Sequence, residues 1–344
     1  MSASENIFVH GIGAVSPAGW GVSAFRDAVN RNAPMELKSL ARPGWEQPLR
    51  VRQTPAAVPR PAFLAHARLR RTSPIAQFVV ASALEALGED AGKISQGLRL
   101  GIIYCAMSGC VNYSRRFYDE VLKDPSTASP LVFPETVYNS PASHLGALLG
   151  ATAINYTVVG DPGTFLQGVA LAADWLLSHR VDGCLVVGAE EMDWLTADAT
   201  RLFEPEIIIS DGAGALYLKR EVGLKNIQLS AVTDAQLFHG APSRLRAAER
   251  VRAELAGKHR NAEILFDSTQ GLEPADRDER KAWADWNQTR RSVKTVFGEG
   301  FMAAAAWQTV AAIDALREEQ FEAATINIVG CNEQAIAAQF IRGT

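Results

Sequence analysis

The sequence predicts a duplicated α/β architecture, and three observations carry that prediction. Residues 154–191, INYTVVGDPGTFLQGVALAADWLLSHRVDGCLVVGAEE, read as strand, tight turn, helix and strand, which is a βαβ unit. Residues 301–317, FMAAAAWQTVAAIDALR, give a second helix of mostly small apolar residues. Both helices lack the polar stripe of a surface helix, so both should be buried. With 344 residues, 47% of them hydrophobic, the chain can enclose a large core as one duplicated unit or two domains, divided at 1–221 and 222–344.

Taken in order, residues 7–15 (IFVHGIGAV) form a first strand, and Ser16, Pro17 and Gly19 turn the chain. A short helix follows over 22–31, with Phe25 and Ala28 on its apolar face. Residues 33–64 hold six prolines and few periodic apolar positions, so an irregular surface excursion is expected. Arg68, Arg70 and Arg71 precede a helix over 74–87, with Ser73 as expected N-cap, Pro74 at the first helical position and Gly88 to end it. The arginines read as a solvated face or as a surface for an acidic carrier. Residues 98–106 give an interior strand, and 112–123 a helix bearing Tyr113, Phe117 and Tyr118. A loop over 124–136 leads to a short helix within 138–150, lined with small residues that permit close approach of a helix or a second subunit. His144 sits there and reads first as a hydrogen-bonded packing residue, second as a catalyst.

After the βαβ unit, 193–206 read as a lid or surface segment, and the SDGAGA of 210–215 as a turn feeding an edge-like strand. The second half repeats this grammar: a strand at 227–233, an amphipathic helix at 241–255, a short buried strand at 264–266 and a helix from 275. A turn region at 292–300 feeds the second Ala-rich helix, and TINIV at 325–329 pairs with 335–341 across a turn carrying Gly330, Cys331 and Asn332.

Several function classes are excluded as expectations. A formal net charge of −4 gives no global attraction to nucleic acid or anionic membrane. No run is apolar enough to span a bilayer, and the N-terminus shows no export signal, so a cytoplasmic protein is expected. Cys105, Cys110, Cys184 and Cys331 lie in or beside apolar runs without a CxxC pair, which reads as buried thiols in a reducing compartment. Phosphate-loop, dinucleotide, HExxH and GxSxG patterns are missing, and His10, His66, His144, His179, His239 and His259 lack metal-ligand spacing. No metal or cofactor is expected. Glu190 and Glu191 are consecutive on a strand and face opposite ways, which argues against a shared acid/base role. Asp276, Asp278 and Glu279 lack a calcium-loop pattern.

Five segments in order are informative together: HGIGAVSPAGWGVSAF at the start, GDPGTFLQGVALAADWLLSHRVDGCLVVGAEE, ISDGAGALYL at 209–218, ADRDE at 275–279 and SVKTVFGEGFMAAAA at 292–306. They resemble the β-ketoacyl synthases of the thiolase superfamily, over nearly the whole chain. The resemblance implies a thiolase-like five-layered αβαβα fold of two pseudo-repeats, dimerised through the first. At the family's catalytic positions the chain departs from the pattern. The active cysteine falls at Pro162, beside Asp161 and Gly163, and proline offers neither a nucleophile nor an amide N–H for an oxyanion hole. The first family histidine falls at Asp267 or Ser268, depending on register, and the second at Glu299. Lys294 matches the family lysine and is expected to balance Glu299 in a buried pair.

The resemblance therefore points to a non-catalytic, chain-length-factor-like subunit. Such a subunit would form a heterodimer with an active ketosynthase in type II fatty acid, polyketide or aryl-polyene-like synthesis. Segments 107–118 and 133–146 are where the resemblance places dimer contacts and tunnel floor, making Phe117, Tyr118, Phe133, Tyr138 and His144 tunnel or interface candidates against the alternative of ordinary core aromatics. One rival is altered acyl-thioester chemistry, with Asp161, Asp267 or Ser268, Lys294 and Glu299 converging in the old cavity. Another is a structural protein that holds acyl carrier protein through Arg68, Arg70, Arg71, Arg115 and Arg116.

Overall fold

Two sets of five strands, laid out in the same order, frame the molecule. The computed structural model describes residues 6–258, 260–331 and 334–343, so His259 and Asn332 lie outside the described residues. In chain order the first half holds β1 (Phe8–Ser16), β2 (Gly19–Trp20), α1 (Val22–Arg31), β3 (Lys38–Leu40), β4 (Leu49–Arg52), α2 (Pro74–Leu87), β5 (Leu100–Ala106), α3 (Val111–Lys123) and α4 (Ser140–Leu149). It continues with β6 (Asn155–Val159), α5 (Thr164–Leu177), β7 (Gly183–Glu190), α6 (Trp194–Arg201), β8 (Ile209–Ser210) and β9 (Gly212–Lys219). The second half holds β10 (Ile227–Val232), β11 (Gln236–Leu237), α7 (Ala241–Glu254), β12 (Glu263–Phe266), α8 (Glu273–Ala282), β13 (Thr289–Arg291), α9 (Lys294–Phe297), α10 (Met302–Arg317), β14 (Ala323–Val329) and β15 (Gln334–Arg342).

The first five-stranded set runs β6-β5-β7-β9-β1 and the second β13-β12-β14-β15-β10. By chain position both read third, second, fourth, fifth, first. In each set the second strand is parallel to the third and fourth, and the fifth is antiparallel to its neighbours. The sets join where Phe8 of β1 pairs with Gln228 of β10. Three apolar clusters fill the layers. One, under α2 and α4, covers the outer face of the first set, and another, under α7 and α8, covers the outer face of the second. The largest lies between the sets and contains α5 and α10. The result is the thiolase-like αβαβα architecture in two pseudo-repeats.

The middle layer explains the glycines. α10 is buried from Met302 to Asp314 on every side, and it lies almost on the backbone of β7 and β9. A Cβ at Gly188 would sit 2.6 Å from the Met302 carbonyl oxygen, and one at Gly214 2.7 Å from the Ala306 Cβ. The expectation that SDGAGA is a turn feeding an edge-like strand is therefore corrected. β9 is interior, buried between β1 and β7, and its glycines make room for a helix. α5 differs from its predicted form, because Gln167, Ala170 and Asp174 make an exposed stripe along an otherwise buried helix.

Other expectations are also corrected. The proline-rich excursion contains the β3–β4 hairpin, and β4 pairs in parallel with β8. Ser73 holds the N-cap position of α2 as expected, but its side chain does not bond the first amides of the helix. Its hydroxyl bonds the Glu191 carboxylate instead, which also accepts the Ile75 and Asn112 amides. Within 292–300 the chain forms the one-turn α9. Cys105, Cys110 and Cys184 are buried as expected, but Cys331 is exposed, since the turn that carries it opens onto a cleft. Among the described residues no helix is long and apolar enough to cross a membrane.

Replacing Gly188 by alanine forces α10 away from β7, since the contact is with backbone and cannot be relieved by a rotamer change. We expect a loss of about 1–3 kcal/mol, read as a lower urea midpoint with an unchanged slope.

Candidate functional site

The turn between β6 and α5 is the natural place to begin. Asp161, Pro162 and Gly163 are all buried there. Across the pseudo-repeat, the turn between β14 and β15 closes onto Asp161. The Cys331 amide donates to Asp161 Oδ1 at 3.1 Å, its thiol to the same oxygen at 3.2 Å, and the Gln334 amide to Oδ2 at 3.3 Å. Gly330 fits only because it has no side chain: a Cβ would lie 1.6 Å from Oδ2. Amides converging from one turn make an anion seat, and here the Cys331 and Gln334 amides hold the chain's own carboxylate, one on each oxygen. Although the residue reaches the surface, loss of water around its sulfur and the neighbouring Asp161 push the Cys331 thiol well above its ordinary range, so it is a weak nucleophile.

Glu299 lies just before α10. Its Oε2 accepts Lys294 Nζ at 2.7 Å and Gln270 Nε2 at 2.9 Å, while Oε1 accepts the Phe301 amide at 2.7 Å. Lys294 and Glu299 are 3% and 2% exposed, so the buried pair expected from the sequence is present. Burial alone would lower the Lys294 pKa, but the Glu299 charge and hydrogen bond outweigh it and raise it. Phe301 adopts φ 46° and ψ −113°, a backbone conformation that costs a bulky side chain energy. The Glu299 carboxylate holds its amide in that place. Removing one partner of such a pair leaves a buried charge uncompensated. Lys294→Ala should therefore cost about 3–5 kcal/mol, and Lys294→Met combined with Glu299→Gln should recover most of it, as read by urea denaturation.

A cleft of about 590 Å³ opens above this floor. Cys331, Gln270 and Phe301 line it from the second half, Met107 and Ser108 from the β5 exit, and Leu195 and Phe203 from α6 and the chain after it. α6 is tied down by Arg42 on Asp198 at 2.6 Å and Arg115 on Asp193 at 2.7 Å. A slightly larger hollow of about 640 Å³ is bounded by Lys225, Glu319 and Arg342. It holds none of the candidate residues, and Lys225 and Arg342 both pair with Glu319.

Glu190 sets the β5 exit by accepting the Met107 and Ser108 amides. Its neighbour Glu191 takes different partners, in line with their opposite facing. Burial pushes Glu190 up to about 8 from an ordinary 4.5, against the two amide bonds that pull it down. A carboxyl raised on folding contributes stability that is present below about 4.5 and lost as pH rises through about 8. The melting temperature should thus fall between pH 5 and 8, and the fall should be shallower in Glu190→Gln, measured by thermal scans across that range.

The residues singled out by sequence are brought together only in part. Asp161 and the Lys294–Glu299 pair flank Cys331 and act on its thiol electrostatically. Asp267 does not join them, because Arg290 and Thr269 take its carboxylate. Ser268 turns inward, donating its amide to Glu279 at 3.1 Å and its hydroxyl to the Asn327 carbonyl at 3.1 Å. Burial and Asp267 raise Glu279. The core alternative for the aromatics is overturned: Tyr118, Phe133 and Tyr138 are exposed and Phe117 is half-buried, its ring 5.4 Å from Phe133. None of these four lines the cleft. His144 is a packing residue whose Nε2 bonds Glu135 at 2.9 Å. Arg68, Arg70 and Arg71 are exposed. Arg115 is committed to Asp193 and Asp119, and Arg116 to Glu120, which weakens the case for either as a carrier contact. Sequence reasoning missed Gln270, Phe301 and Cys331 as floor residues; only the family register of 292–306 could have signalled Phe301.

No protein-family profile matches the sequence, and no curated protein matches it. Solved structures do match. A β-ketoacyl synthase from Burkholderia phymatum aligns with a TM-score of 0.79 at 16% identity, covering 99% of this chain and 100% of that one. The ishigamide ketosynthase/chain length factor aligns at 0.78 and 18%, covering 98% and 100%. A chain from a type II polyketide-synthase acyl-carrier protein in complex with its hexaketide-bound ketosynthase aligns at 0.76 and 16%, covering 98% and 99%. The chain has the β-ketoacyl synthase fold. At these identities the likeness is one of fold.

Proposed function

We propose that this chain is a non-catalytic, chain-length-factor-like subunit that pairs with an active β-ketoacyl synthase in the cytoplasm. The pathway would be type II fatty acid, polyketide or aryl-polyene-like synthesis. One observation carries the reading. At the turn where a ketosynthase-like frame needs a nucleophile, this chain places Pro162, and the amides facing it are taken by Asp161. Acyl transfer through a covalent intermediate needs an activated nucleophile and donors free for the developing oxyanion. Glu299, a carboxylate at the second helper position, would oppose negative charge on a substrate rather than stabilise it.

The surface supports a partner. β6 ends the first strand set, and its outer edge has no neighbouring strand among the described residues. It carries Tyr156, 48% exposed, and Val159. An uncovered apolar edge is a template for another chain. Tyr118, Leu122, Leu131, Phe133 and Tyr138 add exposed apolar area in the same half, the half through which the family resemblance implies dimerisation. Arg68, Arg70 and Arg71 remain available for an acidic carrier protein. The polar floor of the cleft favours one second reading, altered acyl-thioester chemistry, in which Lys294 and Asp161 would act on a bound thioester.

Co-expression with candidate ketosynthases tests the proposal. A 1:1 complex that survives gel filtration and shifts product length relative to the ketosynthase alone is expected. A Val159→Asp variant that remains folded should reduce complex formation at least about tenfold. Failure to bind any candidate, together with acyl-thioester hydrolysis abolished by Lys294→Ala, would move the assignment to the second reading.

A further inference from the structure

One residue in the cleft beneath α6 has no part in the partner role. Arg244, on α7, lines the cleft with Leu195, Phe203, Ile207 and Phe301. Its guanidinium stacks loosely on Phe238, 5.8 Å from the ring centroid. Its Nε is enclosed and makes no hydrogen bond among the described residues, and no carboxylate pairs with it there. The side chain as a whole is half-buried, so it presents to the cleft a cation that no carboxylate neutralises among the described residues.

The rest of the cleft constrains what that partner can be. Its volume of about 590 Å³ is that of a small-molecule pocket. Leu195, Phe203, Ile207 and Phe301 offer an apolar wall suited to an alkyl chain, with Phe203, 88% exposed, at its outer rim. The floor offers no free cation or donor to an anion: Lys294 is paired with Glu299, and Asp161 already fills the amide seat. Glu204 also borders the cleft and disfavours negative charge at its own end. Arg244 is the cation that remains for an anionic head group, and its planar fork matches a carboxylate.

We propose that the cleft binds a medium-chain carboxylate non-covalently, its alkyl chain against α6 and Phe301 and its carboxylate on Arg244. The acid end thus lies away from the degenerate catalytic floor. This inference does not rest on the proposed partner, since it concerns the isolated chain.

Isothermal titration of the purified full chain with decanoate, decanol and pantetheine phosphate tests it. Decanoate should bind saturably and at least about tenfold more tightly than decanol, the difference of one charge-assisted hydrogen-bonded pair. Arg244→Gln should weaken decanoate about tenfold or more and leave decanol unchanged. Phe203→Asp, at an exposed position, should weaken both. Unchanged melting temperatures confirm that each variant is folded. Equal affinity for decanoate and decanol, an unaltered decanoate affinity in Arg244→Gln, tighter binding of pantetheine phosphate than of decanoate, or no saturable binding would each overturn the proposal. None of these outcomes bears on complex formation with a ketosynthase.

Discussion

The close approach of α10 to the glycines of β7 and β9 is the constraint on which the rest of the molecule depends. A helix that contacts strand backbone directly can have only small residues on that face, and MAAAA at its start meets the requirement. The helix start is thereby fixed, and with it Glu299 and Phe301, which form the floor of the cleft. Trp307 pins the next turns by donating from Nε1 to the Val15 and Ala213 carbonyls at 3.0 Å. Van der Waals contact at this seam is what converts two similar half-chains into one core.

Around that seam the chain balances its buried charges internally. Glu299 is matched by Lys294, Asp161 by amides of the opposite half, Glu191 by Ser73 and two amides, and Glu190 by the β5 exit. Arg26 reaches across to Asp314 on α10 in a bidentate pair. Preorganised donors stabilise a transition state only if nothing else occupies them. Here the anion seat, the lysine and the glutamine above it are all engaged in the resting molecule. That economy suits a subunit whose contribution is shape, which is the role proposed above.

Much of this was legible in the sequence. The helices at Val22–Arg31 and Pro74–Leu87 are bounded as the apolar spacing, Pro74 and Gly88 imply. The Lys294–Glu299 pair followed from a lysine and a glutamate placed by the family resemblance. What failed did so for physical reasons. Glycine-rich β9 reads as a turn because local pattern cannot distinguish freedom of φ from the need for a bare backbone under a helix. The core alternative for Tyr118, Phe133 and Tyr138 failed because composition does not say which aromatic side chains reach the surface. The contact between Asp161 and Cys331 joins residues 170 apart in the chain and leaves no local trace, and Arg290 captures Asp267 only once β12 and β13 are paired.

With Pro162 at the turn and the nearby donors engaged, we propose that no side chain of this molecule carries an acyl group through a condensation. Intact-mass measurement of the isolated full chain after incubation with octanoyl-coenzyme A and a malonyl-loaded carrier protein tests it most directly. An unchanged protein mass and no elongated product are expected. A single octanoyl adduct on any side chain, Cys331 included, together with a lengthened acyl product, would contradict it.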